Sequence, residues 1–342
     1  MRNIIQNTPF KWIKYFDKKA LEKLVDIIRK EKVDYLLVSA PHMMEYAMNL
    51  KKLFPDLKII LREHNIESEL VKNFIDLVNN PLLKVIALWQ YKKSLKREIF
   101  YWNFSDKVCF ISDSDYELAL KIKPELKNKY EIIHDGFEFE IENKSCDYDY
   151  YNREKEEFSF IFSGSVKTLQ NKYNLEWFIN SIWKRFILSD FGRKYKLYIT
   201  GNSQLELERI IGLTVNDLEK YNIVNLGFVE NINEILKSKM YFVSPTIIGS
   251  GIRLKVLHSM SLGLVVFLTE KDYRMVKDFK DMENVVLFSS YDDFVYKLKV
   301  LEKSIDLRKR ISRNASDLIK NKLNWENYAK KIYDVIMSLE GK

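Results

Sequence analysis

The stretch Ser244-Pro-Thr-Ile-Ile-Gly-Ser-Gly-Ile-Arg-Leu-Lys-Val-Leu-His-Ser-Met-Ser-Leu-Gly-Leu-Val-Val-Phe-Leu268 decides how this chain is read. Met240 to Val243, just ahead of it, is an apolar run of strand length that Pro245 ends. Gly249-Ser250-Gly251 then makes a loop with little side chain in the way. From Ile252, small and apolar residues recur at helical spacing: Val256, Ser259, Met260 and Gly263. Gly263 closes the helix, and Val265 to Leu268 starts the next strand. The unit is strand, glycine loop, helix, strand. Glycine lets a ligand approach the backbone, and a helix N-terminus offers free N–H groups at the positive end of its dipole. Arg253 and Lys255 add positive charge in the first turn. A cation there is unfavourable for the helix alone, so a bound anion is a natural reason for it. The competing reading of this stretch is a plain βα turn with solvated basic residues.

The same alternation runs outward in both directions. On the N-terminal side, strands are expected at 35–39, 57–61, 108–111 and 131–133. Helices are expected at 11–30, 43–53, 67–104 with a break near Asn79-Asn80-Pro81, and 112–121. From Phe158 a second series begins, with strands at 160–162, 197–199, 224–226, 240–243, 265–268 and 285–288. Its helices fall at 175–186, 210–221, 232–237, 292–302, 305–320 and 325–338. Strands alternating with helices imply parallel sheets joined by right-handed crossovers. Residues 138–157 have no apolar period and many charges, as an interdomain linker does. The expected organisation is an N-terminal Rossmann-like domain over 1–140, a linker over 141–157, a C-terminal Rossmann-like domain over 158–320 and a closing helix over 321–342. Two such domains would face each other across a cleft, with ligands at the C-terminal ends of the strands.

Composition narrows the class. The 342 residues are 46% hydrophobic and 30% charged, which suits two ordinary globular domains. The formal charge of +8 is spread along the chain and admits phosphorylated ligands, anionic membrane or nucleic acid. No RNP-like, helix-turn-helix or zinc pattern supports nucleic acid. The two cysteines, Cys109 and Cys146, read as unpaired thiols of a reducing compartment, and no Cys/His cluster suggests a metal. Charges interrupt every apolar run, so neither a signal-peptide core nor a membrane span is expected. These features together place the protein in the cytoplasm, either free or peripherally attached to the inner face of the membrane.

Gly249-Ser-Gly-Ile-Arg-Leu-Lys-Val-Leu-His-Ser-Met-Ser-Leu-Gly-Leu-Val-Val resembles the donor-site motif of family 4-type GT-B glycosyltransferases (glycosyl transferases group 1), roughly G-x-G-I-[KR]-x-K-x-L-E-[AS]-[ML]-[AS]-x-G-x-P-V-V. Phe162-Ser-Gly-Ser with Asn174 and Trp177 is similar to the opening of that family's nucleotide-binding domain. Leu226-Gly-Phe-Val, His134-Asp-Gly-Phe-Glu138 and Leu323-Asn-Trp-Glu326 resemble three further family segments. The resemblance covers about 33–340 and is strongest over 158–270. It implies a retaining transferase that uses a nucleotide-sugar co-substrate, with no obligatory metal and no other cofactor. The acceptor it implies is a lipid-linked or glycan hydroxyl, in surface polysaccharide or glycoconjugate synthesis.

The resemblance also distributes roles. Lys255, with Arg253 and the loop Gly249, Ser250 and Gly251, would hold the donor diphosphate. His258 stands where the family has the glutamate that binds the ribose; the alternative is a helix residue without a ligand. His64, at the end of a strand in Arg62-Glu63-His64-Asn65, would line the reacting sugar and move a proton or orient a hydroxyl. The alternative for it is a structural histidine. Arg62 and Glu63 are acceptor-side candidates. Gly164, Ser165 and Lys167 are candidate donor contacts, or a plain βα turn. Family members usually begin with a strand and a glycine-rich loop that find no counterpart here, so an N-terminal domain lacking both is expected. A non-catalytic relative that binds nucleotide or a partner glycosyltransferase is the second reading. The basic, aromatic stretch Trp89 to Trp102 suggests contact with an anionic membrane.

Overall fold

The computed structural model describes residues 9, 12, 14–75, 77, 78, 80–137 and 156–340. Cys146 and the expected linker lie outside them, except that 156 and 157 of the linker belong to a strand, Glu156–Ser163. The chain divides into two compact units. One comprises residues 1–134, Ser250–Ile252 and Tyr328–Lys342; the other comprises Asp135–Gly249 and Arg253–Asn327.

In the first unit the elements run α1 (Lys18–Glu31), β1 (Tyr35–Ser39), α2 (Met44–Leu53), β2 (Lys58–Glu63), α3 (Glu67–Ile75), α4 (Pro81–Phe104), β3 (Lys107–Phe110), α5 (Asp113–Ile122) and β4 (Tyr130–Ile132). All strand pairs are parallel, in the order β1-β2-β3-β4. Strand periodicity separates the two faces. Ile59 and Leu61 join Val38, Val108, Phe110 and the helices in one core. Ile60 and Cys109 join Val335 and Leu339 of the C-terminal segment in another. Burial pushes the Cys109 thiol up to about 12. The break expected near Asn79-Asn80-Pro81 has a local cause. The Asn80 side chain accepts from the Leu82 and Leu83 amides, and Pro81 takes the first helical position.

The second unit contains β5 (Glu156–Ser163), α6 (Leu169–Phe178) running through a π-helical turn at Ile179–Trp183 into α7 (Lys184–Ile187), β6 (Lys196–Thr200), α8 (Gln204–Ile211), α9 (Val215–Lys220), β7 (Ile223–Gly227) and α10 (Ile232–Lys237). It continues with β8 (Lys239–Ser244), α11 (Leu254–Ser261), β9 (Val265–Leu268), α12 (Glu270–Tyr273), β10 (Val286–Leu287), α13 (Tyr291–Lys303) and α14 (Ile305–Asn321). The last helix, α15 (Trp325–Met337), starts in this unit and from Tyr328 belongs to the first. Aromatic residues knit the core. Phe160 stacks on Tyr241 at 4.8 Å and meets Phe267 edge-on at 5.2 Å.

Three local expectations change. The helix expected over 175–186 begins at Leu169, because Thr168 caps it through the Asn171 amide. The helix expected over 210–221 is two helices, because α8 stops at Gly212 and Thr214 opens α9 with a capping box to Asp217. The helix expected from Ile252 begins at Leu254, leaving Arg253 as an extended N-cap residue.

The second sheet has the order β10-β9-β8-β5-β6-β7, all parallel. From β5 the chain builds outward to β7, then returns to β8 on the other side of β5. The strand order therefore reverses between β5 and β8, and ligands of open α/β sheets bind at the carboxyl ends of the strands flanking such a reversal.

Candidate functional site

Two loops leave that reversal point in the second unit. One follows β5 at Ser163-Gly164-Ser165; the other follows β8 and leads to α11. Each is held by a buried asparagine. Asn202 accepts from the Val166 amide at 2.7 Å and donates to the carbonyls of Gly164 and Thr200. Asn174 accepts from the Ile247 and Ile248 amides at 2.9 and 3.0 Å and donates to the Ile248 carbonyl at 3.1 Å. A single amide thus fixes three backbone groups of the β8 loop, leaving none of its own atoms idle.

Lys255 sits in the first turn of α11 and reaches across to β5. Its ammonium donates to the Ser163 carbonyl at 3.0 Å and to Asn171 Oδ1 at 3.2 Å, and lies 4.5 Å from the centre of the Phe162 ring. Among the described residues, all of these partners are neutral. Burial lowers its pKa from 10.5 to about 8; Arg253 adds to the fall and Asp272 opposes it. No side chain caps the N-terminus of α11. A half-buried cation without a carboxylate bonded to it, beside a helix N-terminus with no side-chain cap, is an environment that favours an anion.

Arg253 is committed differently. Its guanidinium donates to Gln170 Oε1 at 2.8 Å and to the Ile248 carbonyl at 3.3 Å, and Nε lies 3.6 Å from Asp272. Asp272 is fully buried and accepts from Ser244 and Thr246. The guanidinium lies directly against Gly249, whose φ is +143° and where a Cβ would stand 1.5 Å from Arg253 Nη2. Glycine at 249 therefore makes room for Arg253 as well as for a ligand.

Ser250 and Gly251 group with the first unit. Ser250 Oγ bonds Asn65 at 3.3 Å, and the Gly251 amide donates to the buried Asp115 carboxylate at 3.1 Å. At Gly251, with φ +73°, a Cβ would meet the His64 carbonyl oxygen at 2.3 Å. Nearby, Arg62 Nη1 lies 3.0 Å from His64 Nε2, and the Arg62 guanidinium stacks over Tyr328 at 5.0 Å. His64 is half-buried and Arg62 buried.

The other candidates have visible partners. His258 Nε2 is 2.6 Å from Asn233 Oδ1, and its ring stacks on Phe137 at 4.8 Å. Lys167 pairs with Glu206 at 2.6 Å on the surface, where Lys167 holds the Glu206 carboxyl below its ordinary range. Ser165 uses its hydroxyl on the Lys167 amide and its carbonyl on Asn171 and Thr168. A Cβ at Gly164 would meet Asn171 Nδ2 at 2.7 Å. Glu63 turns inward: it is fully buried and accepts from Trp102 Nε1 at 2.7 Å, while burial and then the nearby Glu98 carboxyl raise its pKa.

The reading of the sequence missed Asn171, Asp272 and Gln170. Asn171 and Asn174 lie three residues apart on α6, so both side chains come off one face of the helix.

Residues 157–302 match the family model described as glycosyl transferases group 1. This span contains both loops, Lys255 and their supporting asparagines. The whole chain has the GT-B fold. It superimposes on a glycosyltransferase from Rickettsia africae with a TM-score of 0.65 at 14% identity, covering 95% of this chain and 82% of that one. For sucrose-phosphate synthase from Thermosynechococcus elongatus the score is 0.66 at 14% identity, with 95% and 80% covered. For Anabaena HepE in complex with UDP-glucose it is 0.65 at 10% identity, with 93% and 82% covered. Comparison with curated protein sequences returns no match. The reversal point, Lys255 and the matched span thus coincide.

Proposed function

We propose that the protein is a retaining glycosyltransferase that moves a sugar from a nucleoside-diphosphate sugar to a lipid-linked or glycan hydroxyl, in surface polysaccharide or glycoconjugate synthesis. One observation carries the reading: the Lys255 ammonium, held on neutral partners at the strand-order reversal of a group 1 domain. Negative charge accumulates on a diphosphate as it leaves. Lys255 and the amides at the start of α11 would stabilise that charge from fixed positions, and one such donor is typically worth about 3 kcal/mol of barrier. Arg253 contributes mainly by holding the loop, since its guanidinium is spread over Gln170, Ile248 and Asp272. His64 would face the reacting sugar or acceptor, with Arg62 orienting its ring through Nε2. HepE was solved with UDP-glucose and TarM with UDP, so UDP-sugars are the first donors to try.

The reading places the protein in the cytoplasm, in peripheral contact with an anionic membrane. No helix among the described residues is long and apolar enough to cross a bilayer. The contact expected from the stretch Trp89 to Trp102 moves along the chain. Trp102 is fully buried and Arg97 pairs with Glu45, so the core uses part of that face. One turn earlier, Leu82, Leu83, Val85, Ile86 and Leu88 are exposed around α4, beside Lys84 and Lys92. A helix end apolar on every side suits a lipid surface.

The test is incubation with a panel of nucleotide sugars, following nucleoside diphosphate release and the anomeric configuration of the product. At least one donor should be consumed, with retention. Binding of a nucleotide without turnover of any donor or acceptor would favour the non-catalytic reading, which the prior engagement of His258 with Asn233 and Phe137 supports.

A further inference from the structure

Asn171 connects the β5 loop to the first turn of α11 through opposite ends of one amide. Its Nδ2 donates to the Ser165 carbonyl at 3.0 Å, while its Oδ1 accepts from Lys255 Nζ at 3.2 Å. It is held in place from behind, because its own backbone amide bonds the Thr168 hydroxyl, and it packs so closely on Gly164 that a Cβ there would meet its Nδ2 at 2.7 Å. We propose that Asn171 is a positioning residue that fixes both the place and the charge of Lys255, and thereby the strength and pH range of anion binding. The inference rests on reading Lys255 as the diphosphate-binding group.

A carboxylate at this place is nearly isosteric and would accept the same bond from Lys255, although, like alanine, it gives up the donor to the Ser165 carbonyl. It would also neutralise the cation and repel a diphosphate. An amide orients the ammonium and leaves its charge available. The charged groups that act on Lys255, Arg253 and Asp272, are already committed to each other at 3.6 Å. Asn171 is thus the neighbour whose substitution changes the charge balance at Lys255 without breaking a buried ion pair.

The experiment compares the full-length protein with Asn171→Asp and Asn171→Ala. UDP affinity is measured by titration calorimetry from pH 6.5 to 9.5. The Lys255 resonance is followed in parallel by NMR of 13C-methylated lysines, assigned with Lys255→Arg. Asn171→Asp should bind UDP at least about tenfold more weakly at pH 7, the change expected from ~1.4 kcal/mol of lost attraction. Its Lys255 should titrate at higher pH than in the wild type. Asn171→Ala removes an acceptor, so its Lys255 should titrate at the wild-type pH or lower. A purely structural role would move both variants in the same direction, and that result overturns the proposal. Wild-type UDP affinity and an unchanged Lys255 titration in Asn171→Asp would also overturn it. If the wild type itself binds no UDP, the diphosphate reading fails, and the NMR titrations still decide whether Asn171 sets the charge of Lys255.

Discussion

The Lys255 ammonium, on the first turn of α11, donates to the carbonyl of Ser163 at the end of β5, 3.0 Å away. A residue ninety-two positions along the chain thereby ties the start of α11 to the end of β5, beside the point where the sheet reverses its order. The bond uses one of three ammonium protons and Asn171 takes a second. The third is the one a diphosphate would take in the proposed function.

The pH dependence of that site has a definite sign. Burial lowers the folded-state pKa of Lys255 from 10.5 to about 8, so between these values the folded protein holds fewer protons than the unfolded chain. The ligand-free protein should therefore gain stability from this group as pH rises from about 8 to 10.5. Nucleotide binding needs the ammonium, so UDP affinity should fall across the same interval. Calorimetric titration at a series of pH values checks it; affinity that is flat up to pH 10 would remove Lys255 from the site.

Gly249→Ala should be damaging for two reasons. The left-handed φ costs a non-glycine residue about 1–3 kcal/mol, and the new methyl group would fall on the Arg253 guanidinium. Displaced, Arg253 would leave Asp272 buried without its partner. Thermal unfolding should show the loss of stability, and nucleotide binding should weaken with it, because the loop leads directly into α11.

In the first unit, Glu63 and Glu98 are both fully buried carboxyls. Glu98 accepts from the Glu67 and Ser68 amides at the start of α3, and burial above all pushes its pKa up to about 8. Glu63 is raised as well, with one oxygen on Trp102. The folded state then holds more protons than the unfolded chain between the ordinary carboxyl value and about 8, so stability from this pair is lost as pH rises through that window. Glu63→Gln keeps the acceptor for Trp102 and removes a charge. It should stabilise the protein by about 1–3 kcal/mol at pH 8 and flatten the pH dependence of its melting temperature. A destabilised variant would show that the Glu63 charge is wanted, as an acceptor-side role would require.

Leu83→Glu together with Ile86→Glu on the exposed start of α4 should leave the fold intact, since both side chains are open to water. Flotation with vesicles of anionic lipid at low salt should recover the wild type and not the variant. No flotation of the wild type would remove the membrane from the account.

How far the sequence could be read depended on how local each cause is. The β8-loop-α11 unit is written in consecutive residues, so its strand, its loop and the cation at Lys255 are legible from spacing alone. Caps such as Ser112 and Thr214 are also local. The role of Asn171 is not, because it depends on meeting Lys255 from a helix 84 positions away. The inward turn of Glu63 is equally non-local: it follows from Trp102 on α4, and charge near a strand end says nothing about which way a side chain faces. Arg253 shows a third limit. In sequence it looks like a second phosphate cation; in the fold Asp272, four residues past β9, claims part of it.

If Lys255 holds the diphosphate of a nucleotide donor, UDP binding should separate the wild type from Lys255→Met, which keeps the stem against Phe162 and removes the charge. At pH 7 the wild type should bind, and Lys255→Met should bind at least about a hundredfold more weakly while melting at the same temperature or higher, the order of loss expected for a buried charge-assisted contact. Equal affinity in the two proteins would contradict the account.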